Sequence, residues 1–312
     1  MEPSRASKLK KSSDTGGARG RVADRVVRIQ RSVVSSLLML CVLGLTATAV
    51  NAQEERKAFR ACQDPSNLPF SNTKGEGFEN RIAELFAKKL ELPVEYFSFP
   101  QRMAFIRNTL RYRLPGEDFR CDVVMSVPAG YDQVASTRPY YRSTYALVYQ
   151  KGNGLDQVKA GSDLFSLPAE KQAKLRIGIF DKSPASIWLA KRGWEDRAVL
   201  YQMLSPDPDQ YPGAIIEKDL AQGKIDVAIV WGPIAGFYAK RVKGSELVVV
   251  SLKSEPGVRF DFEIAMGVRY GEPEWKATIE RLIAENQAAI TSILREYNVP
   301  LVDEHGEPIP LQ

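Results

Sequence analysis

The segment from Arg120 to Tyr145 contains the residue types that most readily suggest binding chemistry. It starts with a short apolar run, Val123 to Met125, continues through a Pro-Ala-Gly turn and reaches a Pro-Tyr-Tyr sequence. A short apolar run that stops at Pro and Gly predicts a buried parallel strand that leads into a loop. Ligand sites in open α/β sheets gather at the carboxyl ends of such strands. We therefore predict a ligand-facing loop here.

The sequence offers little for catalysis. Its only histidine, His305, lies in the polar stretch 303–307. A Ser-His-Asp triad and a histidine-rich metal site in the core are therefore excluded. The chain also lacks a Cys-x-x-Cys-His haem motif and a Gly-rich phosphate loop. We predict no catalytic residues, no metal and no cofactor, and a binding function rather than an enzymatic one.

The charge of the chain is unevenly distributed. The 312 residues include 43 Lys and Arg and 38 Asp and Glu, and residues 1–52 hold nine of the basic and three of the acidic ones. The remainder therefore has 34 basic and 35 acidic residues. A nearly neutral body argues against a polyanionic partner, so we predict no binding of nucleic acid.

The basic N-terminal region precedes an uncharged stretch, Val33 to Ala49, and then small residues up to Ala52. This order is typical of a secretory signal peptide. The alternative is a membrane anchor, but a spanning helix needs about 20 predominantly apolar residues and this stretch is shorter and contains Ser, Thr and Gly. We predict that residues 1–52 are a signal peptide, cleaved after Ala52, and that the mature chain is exported.

Two cysteines, Cys62 and Cys121, remain after this cleavage. An exported protein meets an oxidising compartment, where two cysteines commonly pair. The pattern places Cys62 at the end of one strand and Cys121 at the start of another, an offset that could exceed the roughly 7 Å that a disulfide allows between Cα atoms. A disulfide and two buried free thiols both remain open.

Strand and helix patterns alternate along the mature chain. A βαβαβ run over residues 57–127 predicts a parallel sheet covered by helices. The pattern restarts after the polar stretch 151–162, and a strand over 262–268 could rejoin the first sheet. We predict an α/β fold of two parallel-sheet lobes joined by two crossings, with a site in the cleft. Lobe 1 comprises residues 53–147 and 255–312, and lobe 2 comprises residues 148–254.

The chain resembles the family 3 solute-binding proteins, which have the bilobed type II periplasmic binding protein fold. The motifs that carry this resemblance are Gly75–Glu79, Cys121–Met125, Arg138–Tyr141 and Gly223–Val230. A narrower resemblance is to the quinoprotein dehydrogenase-associated members of the MxaJ/XoxJ type. It rests on Cys62–Asn72, Gly75–Asn80, Phe99–Arg102 and Val127–Asp132.

The narrower resemblance implies a periplasmic accessory role beside a methanol dehydrogenase that depends on pyrroloquinoline quinone (PQQ). The implied partners are this dehydrogenase and its c-type cytochrome. The implied function is to bind the dehydrogenase, or to assist its maturation or its electron transfer to the cytochrome. The alternative is a receptor of an ABC importer for an uncharged or aromatic small molecule. We expect a monomer when no partner is present.

The resemblance also shows where the chain departs from amino-acid receptors. Those relatives hold the ligand carboxylate with an Arg in the loop after the strand at Val123–Met125, since a guanidinium binds a carboxylate with two hydrogen bonds. Here the loop Val127–Asp132 has no Arg. Those relatives hold the ammonium with an Asp at the carboxyl end of a lobe 2 strand, where this chain has Trp231. We expect a cleft for an apolar or aromatic group.

The predicted cleft residues come from both lobes. They are Leu68, Pro69, Phe70, Phe78, Arg102, Pro128, Ala129, Gly130, Tyr131, Trp188 and Trp231. Phe78 and Trp188 could equally be core residues, because large aromatic side chains are often buried. Arg102 is a candidate for contact with an anionic group. We attribute Glu79 to the first turn of a helix, where the helix dipole favours a carboxylate.

Overall fold

A computed structural model describes residues 56–101, 104–203 and 211–310 of the chain. The predicted signal peptide and Arg102 lie outside these residues. The strands are β1 (Phe59–Gln63), β2 (Ser66–Asn67), β3 (Ser71–Asn72), β4 (Val94–Ser98), β5 (Val123–Pro128), β6 (Ala135–Gln150), β7 (Ile177–Phe180), β8 (Ala198–Tyr201), β9 (Val227–Trp231), β10 (Leu247–Ser251) and β11 (Asp261–Val268).

The α-helices are α1 (Phe78–Lys89), α2 (Phe105–Asn108), α3 (Ala169–Gln172), α4 (Pro184–Ala190), α5 (Gly232–Arg241), α6 (Pro273–Glu285) and α7 (Gln287–Glu296). A π-helical segment spans Ile215–Leu220. Helix α1 buries the apolar stripe that its sequence predicts, with Phe78, Ile82 and Phe86 fully inside. No helix among the described residues is long and apolar enough to cross a membrane.

One long strand connects the two halves of the structure. The described sheet has the order β4-β1-β5-β11-β6-β9-β7-β8, and β10 also pairs with β6. Strand β6 pairs with β11 up to Thr144 and with β9 from Tyr145 onwards. Its 16 residues are rich in aromatic and β-branched side chains, which favour extended structure. The expected return of β11 to the first sheet is confirmed.

The sheet is less uniformly parallel than the sequence pattern suggests. Strands β4, β1 and β5 are parallel, as are β8, β7 and β9. Strands β6, β10 and β11 pair antiparallel with their neighbours. The outer strands of each half are thus parallel, as predicted, whereas the strands that carry the chain between the halves run antiparallel to their neighbours.

Separate hydrophobic cores lie on the two sides of this sheet junction. One is built around Phe59, Phe86 and Trp275, and another around Tyr149 and Trp188. The chain from Arg56 onwards nevertheless forms a single compact unit. The two-lobe division at residues 147 and 254 stays a prediction.

The helix expected over residues 101–111 is shorter in the structure. Among the described residues of this range, only Phe105–Asn108 is α-helical. Ala104 precedes it with φ of 66°, a left-handed conformation that a right-handed helix cannot continue through. The apolar periodicity of this segment therefore describes which side chains are buried, not a continuous helix.

Cys62 and Cys121 form a disulfide in the structure. Cys62 lies at the end of β1 and Cys121 just before β5, which is a parallel neighbour of β1. Their Cα atoms are 5.2 Å apart, within the range that a disulfide requires. The offset between the strand ends is thus small enough for the bond.

A buried carboxylate beside the disulfide binds three guanidinium groups. Asp122 is fully buried, and its oxygens lie 2.8 Å from Arg56, 2.7 Å from Arg60 and 2.5 Å from Arg269. The indole of Trp275 donates to its backbone carbonyl at 3.1 Å. Burial alone would raise the pKa of Asp122, but hydrogen bonds from Arg60 and Arg269 hold it below its usual value. The cluster joins β1, β5, α6 and the end of β11.

Replacing Asp122 with Asn should therefore destabilise the protein strongly. Removal of one partner of a buried ion pair costs about 3–5 kcal/mol, because the remaining charges stay buried without compensation. Urea unfolding at pH 7 measures the loss. Asp226→Asn is the matched control, because Asp226 and Arg176 form a partly exposed pair at 2.8 Å. We expect the control variant to lose less than about 1 kcal/mol of unfolding free energy. Equal losses in the two variants would contradict the role of Asp122 as a buried counter-ion.

The stabilisation by Asp122 should also disappear in acid. A carboxyl whose pKa is lower in the folded state than in the unfolded chain stabilises the protein fully above its unfolded pKa, about 3.9 for Asp. This contribution is lost as the pH falls through the lowered pKa that the carboxyl group has in the folded state. The difference in unfolding free energy between wild type and Asp122→Asn should be constant from pH 5 to 7 and shrink below about pH 4.

Candidate binding cleft

Two cavities meet at the point where β6 passes from one half of the sheet to the other. Tyr145 and Trp231 are register partners there, with ring centroids 5.4 Å apart. Both residues line a cavity of about 300 Å³ on the β5 side and one of about 590 Å³ on the β8 side. The Tyr145–Trp231 pair is thus a common wall of the two cavities, which we call the first and the second cavity.

The first cavity is lined mainly by aromatic and apolar residues. Its lining is Phe70, Glu79, Gln101, Ser126, Val127, Pro128, Tyr141, Tyr145, Trp231, Phe262 and Ile264. The residues come from the loops after β1 and β4, the start of α1, the carboxyl ends of β5 and β9, and from β6 and β11. The rule for ligand sites in α/β sheets therefore locates this cavity correctly.

A close backbone approach places Glu79 in the first cavity. The amides of Phe78 and Glu79 donate to the carbonyls of Pro69 and Phe70 at 2.8 and 2.9 Å. A Cβ atom at Gly77 would overlap the carbonyl of Phe70, so only glycine lets the loop lie this close to the helix. The result is that the first turn of α1 directs Glu79 towards the cleft.

Polar groups gather at the inner end of the first cavity. The hydroxyl of Tyr140 donates to the carbonyl of Met125 at 2.8 Å and lies 3.0 Å from Ser126 Oγ. The buried hydroxyl of Tyr141 has no hydrogen-bond partner among the described residues. Because buried hydroxyl groups are normally paired, this one marks a position where a ligand group could bind.

Burial dominates the acid–base behaviour of Glu79. It raises the pKa of Glu79 to about 7, the hydroxyl of Ser126 opposes the shift, and the negative charge of Asp64 adds to it. No described ion pair involves Glu79. The carboxyl group is therefore poised between its neutral and ionised forms near neutral pH.

The second cavity lies at the carboxyl ends of three parallel strands. Phe180 ends β7, Tyr201 ends β8 and Trp231 ends β9. Tyr211 and exposed Leu200 and Met203 extend this apolar surface. An aromatic wall with apolar residues at its rim suits an apolar ligand or a segment of a protein partner.

The charged residues of the second cavity are already engaged. Asp219 accepts a hydrogen bond from the hydroxyl of Tyr201 at 2.7 Å and pairs with Lys224 at 3.0 Å. The ammonium of Lys218 lies 5.4 Å from the ring centre of Tyr211. None of the described residues that line the two cavities is an arginine.

Asp226, the acidic residue of the lobe 2 strand, lies away from both cavities. It precedes β9, whereas Trp231 ends it. Its carboxylate accepts hydrogen bonds from Arg176, with which it forms an ion pair. An amino-acid ligand would therefore find no acidic group at the strand end where amino-acid receptors have one.

The structure brings three of the predicted cleft residues together. Phe70, Pro128 and Trp231 all line the first cavity. Leu68 and Pro69 lie in the adjoining loop and line neither cavity, although the carbonyl of Leu68 accepts a hydrogen bond from Tyr238. Their role in binding stays a prediction, as does that of Arg102.

Other predicted residues lie elsewhere. Phe78 is fully buried beneath the first cavity, in contact with Phe70. Trp188 is buried in the second core, and its indole donates to Glu255. Ala129, Gly130 and Tyr131 form the turn beyond β5 and line neither cavity. Phe78 and Trp188 thus take the core positions that the sequence left open. The turn at 129–131 projects past the strand end, and its role in binding stays a prediction.

Several lining residues were not among the predicted cleft residues. They are Glu79, Ser126, Tyr141, Tyr145 and Phe262 in the first cavity and Phe180, Leu200, Tyr201, Met203 and Tyr211 in the second. The rule for strand ends covers two of them, since Phe180 and Tyr201 end the parallel strands β7 and β8. Tyr145 gave no such signal, because its position depends on the register of β6 with β9.

No group of three or more His, Cys, Asp or Glu residues that could hold a metal occurs among the described residues. The titratable groups in the described lining of the first cavity are the carboxyl of Glu79 and the hydroxyls of Tyr141 and Tyr145. This set can bind and orient a partner group.

Comparison with known proteins places the chain in a family, although no family model matches it. It is 35% identical to the crystal structure of the periplasmic binding protein XoxJ from Methylobacterium extorquens AM1, with a TM-score of 0.63, covering 79% of this chain and 100% of XoxJ. The crystal structure of MxaJ from Methlophaga aminisulfidivorans MPT is 25% identical, with a TM-score of 0.65 and coverage of 78% and 100%.

A curated relative agrees with the solved structures. Protein MoxJ of Paracoccus denitrificans is 26% identical over 279 residues, which cover 84% of this chain and 96% of MoxJ. The expected α/β fold of the type II periplasmic binding proteins is confirmed by these similarities. The chain belongs to the MxaJ/XoxJ family of periplasmic binding proteins.

Proposed function

We propose that the protein is a periplasmic, non-catalytic accessory protein of a PQQ-dependent methanol dehydrogenase, and that its cleft binds an apolar segment of that enzyme. Membership of the MxaJ/XoxJ family supports a role in methanol oxidation. Binding would assist maturation of the dehydrogenase or its productive contact with a c-type cytochrome. Residues 1–52 would direct export and be removed after Ala52.

The aromatic wall, with no arginine in its described lining, is the observation that carries this proposal. A zwitterionic solute loses its hydration on entering a cleft and needs charged partners in return. The described lining offers no arginine, and Asp226 is committed to Arg176 away from the cleft. Phe180, Tyr201 and Trp231 offer instead a surface of the kind that protein interfaces favour.

Exposed apolar side chains at the rim of the second cavity extend the argument. Leu200 is 66% exposed and Met203 is 46% exposed. Both lie beside the aromatic wall, so a single partner segment could cover the rim and enter the cavity. Interfaces of this kind gain most of their affinity from a few buried apolar anchors.

A receptor for an uncharged solute is the second candidate. The volume of the first cavity, about 300 Å³, lies at the lower end of the range for small-molecule sites. Native mass spectrometry of the freshly purified protein separates the two functions. A metabolite bound at full occupancy, together with no binding of the dehydrogenase, would favour the receptor.

Leu200→Ser should weaken binding of the dehydrogenase. Complete burial of a leucine side chain contributes about 1.5–3 kcal/mol, so the dissociation constant should rise roughly tenfold or more. Isothermal titration calorimetry of residues 53–312 with purified PQQ-dependent methanol dehydrogenase measures this change.

Ile187→Ser is the matched control for this experiment. Ile187 is also an exposed aliphatic residue, 53% accessible on α4, but it lines neither cavity. We expect its affinity to stay within about twofold of wild type, as for a surface residue outside an interface. No binding by the wild-type protein, or equal losses in both variants, would refute binding of the dehydrogenase in the cleft.

A further inference from the structure

The first cavity contains a single acidic group among its described lining residues, Glu79. Its side chain is nine-tenths buried and forms none of the described ion pairs. The described charge that acts on it is that of Asp64, which has the same sign. An ionised Glu79 is therefore not compensated by any described residue, and a positively charged ligand group would offset the cost of its burial.

The walls of this cavity favour the same class of ligand. Phe70, Tyr141, Tyr145, Trp231 and Phe262 present aromatic rings. Aromatic faces attract cations, most strongly where water is excluded, and also pack against aliphatic chains. The combination of ring faces and one carboxyl group fits a basic group on an aliphatic stem better than it fits a neutral polar group.

The unpaired hydroxyl of Tyr141 is an independent indication of a ligand. Tyr141 is only 7% exposed, lines the cavity, and its oxygen has no hydrogen-bond partner among the described residues. A hydroxyl oxygen can accept a hydrogen bond from a cationic N–H group. A ligand bound between Glu79 and Tyr141 would thus satisfy a polar atom that the protein leaves unpaired.

We propose that the first cavity binds a basic group on an aliphatic stem, such as a lysine side chain, with Glu79 as its counter-ion and Tyr141 as a hydrogen-bond acceptor. The basic group belongs to the dehydrogenase segment that enters the cleft, an identification that rests on the proposed function. A free alkylamine has the same chemistry and is the alternative source.

The groups around Glu79 determine how this binding depends on pH. Asp64 faces it from the loop after β1, Ser126 from β5, and Tyr140 and Tyr141 from β6. Burial raises the pKa of both tyrosines, so they stay neutral at physiological pH. Glu79 is therefore the group that changes charge near neutrality, and a cation should bind better as the pH rises.

The direct test uses n-butylammonium chloride and neutral 1-butanol as probes of equal shape. Chemical shifts of the backbone amides in residues 53–312 report binding in the cavity. We expect n-butylammonium to bind roughly tenfold more tightly at pH 8 than at pH 5.5, following the ionisation of Glu79, while 1-butanol is unaffected by pH. Equal binding of the two probes at pH 8, or no shifts at the cavity, would overturn the proposal.

Glu79→Gln and Glu84→Gln form a matched pair of variants. Glu84 lies on the same helix but is exposed to solvent. Glu79→Gln should lose the preference for n-butylammonium, whereas Glu84→Gln should keep it. A preference retained in Glu79→Gln would show that another group binds the cation, and would overturn the assignment.

Thermal unfolding without ligand tests whether Glu79 is uncompensated. The pKa of Glu79 is raised in the folded state, so wild type should lose stability as the pH rises from about 4.5 to 7. Glu79→Gln removes this loss and should raise the unfolding midpoint at pH 8 but not at pH 4. A lower midpoint at pH 8 would reveal an internal cation, such as Arg102, and would overturn the proposal.

The source of the cation is decided with the dehydrogenase itself. A loss of dehydrogenase affinity in Glu79→Gln at pH 8 assigns the basic group to the enzyme. Unchanged affinity, with the n-butylammonium preference intact in wild type, assigns it to a free amine. If wild type binds no dehydrogenase but prefers n-butylammonium, the proposed function fails and the cation site stands. If wild type binds the dehydrogenase but shows no preference for n-butylammonium, the cation site is rejected and the proposed function stands.

Discussion

Strand β6 is the constraint on which the other features depend, because its hydrogen bonds belong to both halves of the sheet. It pairs with β11 up to Thr144 and with β9 from Tyr145, so the change of partner occurs between two adjacent residues. This register sets Tyr145 against Trp231 and thereby creates the shared wall of the two cavities. The cleft is therefore a consequence of strand pairing, and a shift of one residue would turn Tyr145 to the opposite face.

Close contacts on both sides of β6 hold this arrangement in place. A Cβ atom at Gly232 would overlap the carbonyl of Thr144, and one at Gly236 would overlap the carbonyl of Asn298. The hydroxyl of Tyr238 donates to the carbonyl of Leu68 at 3.1 Å, which joins α5 to the loop that carries Phe70. Helix α5 thus packs against backbone from the other half of the structure. These contacts, which lie outside the cavity lining, hold the cleft in shape.

The sequence predicted the order of strands and helices well because period-2 and period-3.6 patterns are local. It also identified Trp231, since a strand that ends at Gly-Pro directs its last side chain to the site. It could not predict Tyr145, whose place depends on long-range register, or the shortening of the helix at Ala104. It left open whether Phe78 and Trp188 pack in the core, because composition alone cannot distinguish a buried aromatic residue from one that lines a cavity.

Two buried carboxylates of the β1–β5 region illustrate how the protein distributes charge. Asp122 has three guanidinium groups, and its pKa is lowered; Glu79 has no cation among the described residues, and its pKa is raised to about 7. Both cost free energy to bury, but among the described residues only Asp122 has cations that offset that cost. A structural role explains Asp122 fully. Because strongly perturbed carboxyl groups in clefts are enriched at functional sites, the uncompensated cost at Glu79 is best understood as one that a ligand offsets.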